Sequence, residues 1–420
     1  FDAENDIDYA TLMKIAEPTR CTEVDATDPL YILYTSGTTG KPKGIIRDNG
    51  GHAVAMHFSM KYVYGIHPRE VFWAASDVGW VVGHSYIVYA PLIYGCPTVL
   101  FEGKPVKTPD ASTFWRVISD HDVRVMFTAP TAIRAIKKED PNGEFIKQFN
   151  MDGLKYLFLA GERCDVSTLE WAKEHLNVPV IDHWWQTETG GIMISALPYA
   201  TPLKPGSATR ALPGISAKIV RRDGTEADPN EGGHLIVDKP WPGMLRNVWG
   251  NPERYKSTYF AGFPGAYEAG DGARVDSDGY FWIMGRLDDV INVSGHRMGT
   301  AEIESALVAH KDVAEAAVVG MPHDVKGETI YAYVTLKSGI EPDDDMIKEL
   351  KVWVRKEIGP IATPEFIQFA DGLPKTRSGK IMRRVLRKIV EGSDEFGDTS
   401  TLADPGVVTD LVEGNKELVG

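Results

Sequence analysis

The run Thr35-Ser36-Gly37-Thr38-Thr39-Gly40-Lys41-Pro42-Lys43-Gly44 follows directly on the β-branched and aromatic segment Leu30–Tyr34. Glycines let the backbone turn tightly, hydroxyls and two lysines surround the turn with donors, and the preceding strand fixes its base. That combination suits a loop wrapped around polyphosphate. It is not a Walker A loop, which needs Ser or Thr directly after its Gly-Lys pair. Lys41 is followed by Pro42 and no other stretch supplies that pattern, so the ordinary P-loop NTPase fold is disfavoured.

Outward from the loop, strand-like runs at Val71–Ala74, Thr98–Phe101, Val123–Thr128, Tyr156–Ala160 and Val178–Ile181 alternate with helical patterns at Ala111–Asp120 and Val166–His175. The alternation predicts an α/β fold with a doubly wound, mostly parallel sheet that includes Leu30–Tyr34. Over residues 205–282 the helical period gives way to short strands, Ala217–Val220 and Gly233–Val237, among Gly- and Pro-rich turns, which predicts a small β-rich subdomain. Beyond Gly285-Arg286-Leu287-Asp288-Asp289 the pattern changes again: helix Ala301–Ala309, strands Val313–Val319 and Tyr331–Leu336, helix Asp343–Ile358, a strand at Phe366–Phe369 and helix Gly379–Val390. These form a separate α+β module. The chain is therefore expected to divide into a core at 1–287, a C-terminal α+β domain at 288–392 and a polar surface tail at 393–420.

The 420 residues carry a formal net charge of −14, with 43% hydrophobic and 25% charged residues. Such a field repels nucleic acid, so an anionic ligand must be met by local cations or backbone N–H groups. Cys21, Cys96 and Cys164 lie far apart with neither disulfide nor zinc spacing, which fits a reducing compartment. Val78–Phe101 lacks Asp, Glu, Lys and Arg, yet Gly79, Gly83, Pro91, Gly95 and Pro97 break it into buried pieces rather than a membrane span. The chain begins at Phe1, and its first residues carry no readable targeting pattern.

The phosphate loop resembles that of the acyl-adenylate-forming superfamily, and further segments match the family in order along almost the whole chain. Gly161-Glu162-Arg163 is similar to the segment that lines the adenine site, and Asp182-His183-Trp184-Trp185-Gln186-Thr187-Glu188-Thr189-Gly190 to the central motif. The resemblance implies that Trp184 packs on adenine, Thr187 reaches the α-phosphate and Glu188 holds Mg²⁺. It assigns Asp271 and Arg286 to the ribose, Asp288 to the hinge of the C-terminal domain, and Ser294-Gly295-His296-Arg297 to the loop that meets the coenzyme A thiol. Arg297 then contacts the nucleotide phosphate. Arg355 matches an arginine near the coenzyme A 3′-phosphate, although an exposed helix arginine with no such role is equally compatible. Pro374-Lys375-Thr376-Arg377-Ser378-Gly379-Lys380 ends in the lysine that serves adenylation. Seven basic residues between Lys375 and Lys388 also allow a nucleic-acid or membrane patch, which the acidic whole opposes.

The implied activity is an ATP-dependent acid–CoA ligase with Mg²⁺, using ATP and coenzyme A. A small carboxylate is the partner, with neither nucleic acid nor membrane, in the cytoplasm or the matrix of a mitochondrion. The closest type is the short-chain acetyl- and propionyl-CoA synthetases, with an acyl pocket of Trp80, Val81, Val82, Ala160 and Trp185. The resemblance implies that Trp185 closes the pocket to long chains. Ala160 and Val82 stand where acetyl enzymes usually carry Val and Thr, and Arg47-Asp48-Asn49-Gly50-Gly51-His52 resembles the propionyl version. Propionate is therefore the expected acid, with acetate as the alternative. Related enzymes are controlled by acylation of the lysine that Lys380 matches. Family members carry a long stretch ahead of the phosphate loop that this chain lacks, so a weak or inactive form, or a non-catalytic ATP-binding fragment, is the competing expectation. A peptide-synthetase adenylation domain is disfavoured because no carrier domain follows.

Overall fold

The computed structural model describes residues 2, 5–35, 42–293, 296–323, 326–376 and 379–419, with the backbone alone at Asp288, Asn292, His296 and Arg297. Leu30–Tyr34, expected in the parallel sheet, lies instead in β1 (Pro29–Thr35), which pairs antiparallel with β2 (Lys43–Asp48) and sets Thr35 opposite Lys43. The reason is connection length. A parallel partner needs a crossover of a dozen or more residues, and the stretch between Thr35 and Lys43 is too short. A third strand, Asn247–Val248, pairs with β2 on its other edge.

The parallel sheet is formed by β3 (Val71–Ala74), β4 (Val123–Thr128), β5 (Tyr156–Leu159) and β6 (Val180–Asp182), in that spatial order. Alternate side chains feed two cores. Phe72, Phe127 and Phe158 pack with Met56, Met60 and Tyr86 on one face, whereas Trp73, Met126 and Leu157 pack with Trp115, Ile133 and Leu169 on the other. Thr98–Phe101 is not a strand: Thr98 makes an isolated bridge to Phe72, and Pro97 removes a ladder donor beside it. The apolar run Val78–Phe101 is broken into a π-helix, Gly83–Tyr89, and a short α-helix, Ala90–Tyr94, closed by left-handed Gly95. Among the described residues no helix is long and apolar enough to cross a membrane.

A second, antiparallel sheet follows, built from β7 (Ala217–Val220), β8 (Gly233–Val237), β10 (Tyr267–Val275) and β11 (Phe281–Arg286), where β9 is the strand Asn247–Val248 already seen on β2. The C-terminal sheet consists of β12 (Val290–Val293), β13 (His296–Gly299), β14 (Val313–His323), β15 (Gly327–Leu336) and β16 (Phe366–Phe369). Helices Thr300–Val308 and Asp344–Glu357 bury Leu307, Leu350 and Val354 on one face. On the opposite face, Arg383–Val390 buries Leu386 and Ile389.

Two expectations change here. The helix expected from Gly379 begins at Arg383, because Gly379 takes a positive φ of 87° and a bridge between Lys375 and Ile381 closes a turn ahead of it. The expected surface tail contains the helix Gly406–Val419, which buries Val408 and Leu411; Asn415 Nδ2 donates to the Ile389 carbonyl at 3.0 Å. Val408, Leu411 and Asn415 are spaced at three and four residues, a helical face that the polar stretch ahead of it obscured.

Candidate nucleotide and acyl site

The carboxyl ends of β3 to β6 open on one edge of the parallel sheet, where doubly wound folds bind ligands. Gly161, after β5, has φ of 106° and space within 4 Å of where a Cβ would stand, so the backbone there borders an open cleft. Beside it Glu162 pairs with Arg134, which also reaches Asp165 Oδ2 at 3.3 Å. Arg163 lies near Asp182, whose buried carboxyl accepts the Cys164 N–H at 3.1 Å and is pushed up to about 7 by burial. His183 is enclosed in the core. Its Nδ1 meets the Leu159 carbonyl at 2.6 Å, its Nε2 meets Tyr64 Oη at 3.3 Å, and burial lowers its pKa to about 4. Asp182 and His183 therefore brace the end of β6; beyond them Trp184 and Trp185 are buried, and Gln186, Thr187 and Glu188 are partly exposed.

One hydrogen-bonded unit joins the Trp184 indole to the Asp271 carboxylate. Trp184 Nε1 donates to Asp271 Oδ2 at 2.9 Å, Gln186 Nε2 donates to the same oxygen at 2.8 Å, and Tyr267 Oη donates to Gln186 Oε1 at 2.7 Å. Arg286 Nη1 stands 3.5 Å from Asp271 Oδ1 and donates to the Ala269 carbonyl at 3.0 Å. Gly270, at φ of 70°, leaves the room: a Cβ there would lie 2.7 Å from Arg286 Nη2. Burial raises the Asp271 pKa, against the pull of Arg286, the Trp184 N–H and Lys380.

Next to this unit, Glu188 Oε1 accepts from Tyr259 Oη at 2.7 Å and meets Lys43 Nζ at 3.5 Å, with Lys43 lying 4.8 Å over the Tyr259 ring. Burial lowers the Lys43 pKa, opposed by Glu188, while Arg254 and Arg286 press in the same downward direction as burial. Lys380 arrives from the C-terminal module. Its side chain keeps solvent access, yet protein crowds around it, and desolvation followed by Arg286 lowers its pKa while Asp271 raises it. Lys43, Arg254, Arg286 and Lys380 thus make the local cationic cluster that an acidic chain needs for an anionic ligand. Among the described residues Glu188 Oε2 accepts no hydrogen bond, so one carboxylate oxygen beside the cluster fits the usual protein share in Mg²⁺ binding, where phosphates and water supply the rest.

Val81, Val82, Ala160 and Trp185 share one apolar cluster with Tyr86, whose ring lies 5.1 Å edge-on from Trp185. Trp80 stays at its margin, partly buried on the turn after β3. Arg355 stands apart on the exposed side of the helix Asp344–Glu357. Ser36, Gly37, Thr38, Thr39, Gly40 and Lys41, together with Ser294 and Gly295 and the side chains of Asp288 and Arg297, lie outside the described residues.

Sequence reading missed Tyr259 and Tyr267, which hold Glu188 and Gln186, and Trp241, whose Nε1 donates to the Thr189 carbonyl at 3.0 Å. No motif marks them. Their one signal is aromatic density in a segment read as turns and short strands.

The parallel edge, Lys43 of the cationic cluster and Lys380 of the C-terminal module lie within segments shared with known proteins. The pattern described as AMP-binding enzyme matches residues 2–249, and that of the AMP-binding enzyme C-terminal domain matches residues 302–380. The chain belongs to the AMP-binding enzyme family. It is 54% identical over 417 residues to an acetyl-coenzyme A synthetase of Syntrophobacter fumaroxidans, an alignment covering 98% of this chain and 64% of that protein. It is likewise 54% identical over 422 residues to an acetyl-coenzyme A synthetase of Novosphingobium aromaticivorans, covering 99% of this chain and 64% of that one. The chain thus spans about 64% of the length of these curated relatives. Among solved structures, the anthranilate CoA ligase AuaEII in complex with anthranoyl-AMP superposes with a TM-score of 0.80 at 26% identity, over 89% of this chain and 69% of that one.

Proposed function

We propose that the chain catalyses ATP-dependent joining of a short carboxylic acid to coenzyme A through an acyl-AMP. The observation that carries the reading is the cluster in which Lys43 meets Glu188 and Arg286 meets Asp271, with the charge of Lys380 acting on Asp271 and Arg286 from the C-terminal module. In the first half, a carboxylate oxygen attacks the α-phosphorus and the bond to pyrophosphate breaks. The acid is already ionised at neutral pH, so no general base is required. Lys380 and Arg286 stabilise the charge gathering on the α-phosphate, Thr187 orients it, Trp184 and Gly161 to Arg163 border the adenine, and Asp271 accepts the ribose hydroxyls. Glu188 would hold Mg²⁺, which when bound offsets phosphate charge. In the second half, the coenzyme A sulfur attacks the acyl carbonyl, its proton is lost, and AMP leaves. The core at 1–287 and the module at 288–392 would then exchange faces about Asp288, withdrawing Lys380 and bringing in Ser294, Gly295 and Arg297, with Arg355 toward the coenzyme A phosphate. A solvent-accessible Lys380 is also open to acylation, which would remove the charge the first half uses.

For the acid, acetate takes precedence over the propionate expected from sequence, because the relatives at 54% identity are acetyl-coenzyme A synthetases. Propionate remains as a second reading on one observation: Ala160, buried against Trp185, supplies less side chain than the valine expected of an acetate pocket. One methylene is worth only about 1–3 kcal/mol in such a pocket, so both acids should be used. Carboxylate-dependent ATP–pyrophosphate exchange tests the activity, and its absence would leave only the nucleotide-binding alternative. Comparing kcat/KM for acetate, propionate and butyrate tests the acid.

A further inference from the structure

Arg47 lies on β2 four residues past Lys43, so the two side chains leave the strand on the same face. Both end on one residue. Lys43 takes the Glu188 carboxylate, while Arg47 Nη1 donates to the Glu188 carbonyl at 3.2 Å and to the Gly243 carbonyl, and Arg47 Nη2 donates to the Thr187 carbonyl. Arg47 is fully buried, and its neighbour Asp48 is taken by Arg246, whose Nε donates to Oδ2 at 2.7 Å. Among the described residues, carbonyl dipoles rather than a carboxylate in contact therefore hold the buried guanidinium. Gly190 makes the space: a Cβ there would stand 2.7 Å from Arg47 Cζ.

A buried cation contributes little net stability compared with a well-packed apolar group, so stability alone does not explain this arrangement. The clamped carbonyls do. Each peptide unit is planar, and the carbonyls of Thr187 and Glu188 flank the Glu188 Cα on both sides. Fixing both planes fixes the direction in which the Glu188 side chain leaves the backbone and the level at which Thr187 stands. We propose that Arg47 is a positioning residue for acyl-adenylate formation, a fork that aims the Thr187 hydroxyl and the Glu188 carboxylate at the bound nucleotide without touching it. This rests on the reading under Proposed function.

Lysine has a point charge and cannot span two carbonyls with a rigid fork, so Arg47→Lys removes the aim while keeping the charge. In the full chain, Arg47→Lys and Arg47→Gly are expected to lower the adenylation rate per active site about 10- to 100-fold, the scale of a misplacement near 1 Å. Burst amplitude, which counts active sites, should stay near the wild-type value, and KM for the carboxylate should change less than that for MgATP. Guanidinium ion in solution should restore part of the Arg47→Gly rate and none of the Arg47→Lys rate. Wild-type kcat and MgATP KM in Arg47→Lys would overturn the proposal, as would losses confined to burst amplitude with no rescue. Absence of carboxylate-dependent exchange from the wild-type chain would sink the functional reading and this inference together, whereas intact wild-type exchange with indifferent variants sinks the positioning role alone.

Discussion

The two sides of the cleft are held in unlike ways. On the sheet side, Trp184 and Gln186 are tied to Asp271, Gln186 to Tyr267 and Glu188 to Tyr259 by hydrogen bonds of 2.7–2.9 Å that are at least partly buried. On the other side, Lys380 sits on a short turn closed by Thr376 N–H to its carbonyl at 2.8 Å and by its own N–H to Thr376 Oγ1 at 3.2 Å, with its side chain in contact with solvent. A preorganised wall spends no reorganisation when charge develops, while a lightly held cation can be withdrawn. Under the proposed reaction, this contrast separates the half of the site that is built once from the half that is delivered.

Lys380→Gln tests that contrast most severely. Adenylation should fall about 100- to 1000-fold, the loss typical of removing one charge-stabilising donor. Thioester formation from supplied acyl-AMP should stay near wild type, and so should Tm, because an exposed side chain is lost. Loss of both half-reactions would mean that the turn is as fixed as the wall. Next in size, Tyr259→Phe leaves Glu188 Oε1 with Lys43 alone. A hydrogen bond to a charged group contributes about 1.5–3 kcal/mol, so kcat/KM for MgATP should fall roughly 10-fold or more. An unchanged value would show the wall to be less preorganised than its geometry.

Gly270→Ala should cost about 1–3 kcal/mol for the left-handed backbone alone, read as a lower Tm. It should also push Arg286 away from the Ala269 carbonyl and weaken discrimination between ATP and 2′-deoxy-ATP. The smallest effect concerns the bracing pair behind the wall. Burial raises Asp182 to about 7, above its unfolded value near 4. Its contribution is therefore full below pH 4 and lost as pH rises through 7. His183 is lowered to about 4, so its contribution is full above pH 6.5 and lost as pH falls toward 4. The two slopes oppose each other, each worth about 1.4 kcal/mol per pH unit at most. Asp182→Asn should leave the His183 slope exposed, with urea unfolding stability rising from pH 5 to 7 more steeply than in wild type; an identical profile would show that Asp182 titrates normally.

Much of the wall was legible in sequence because its polar residues are clustered where apolar core residues would be expected: Gln186, Thr187 and Glu188 follow two tryptophans, and Asp271 lies between glycines. The parallel strands β3 to β6 were legible for a related reason, since strands buried on both faces read as continuous apolar runs. What sequence concealed was partnership across long separations. Nothing local shows that Tyr259 reaches Glu188 or that Arg47 reaches Thr187, because those bonds arise only when the antiparallel sheet and β2 fold against the parallel edge. The strand Leu30–Tyr34 was assigned to the wrong sheet because strand propensity carries no information about pairing partner. The helix Gly406–Val419 was hidden because three buried positions among polar neighbours give a faint period.

Val81 and Val82 lead directly into the π-helix Gly83–Tyr89, which holds an i→i+5 pattern where an α-helix would hold i→i+4. Such a turn is an α-helix with one residue too many. Deleting one residue within it would restore the tighter spiral and swing everything ahead of it by about 100°, carrying the valines off the pocket. If the proposed acyl pocket holds, the choice of acid would depend on the length of this segment as well as on its residues, and a single-codon deletion would redraw the pocket as thoroughly as several substitutions.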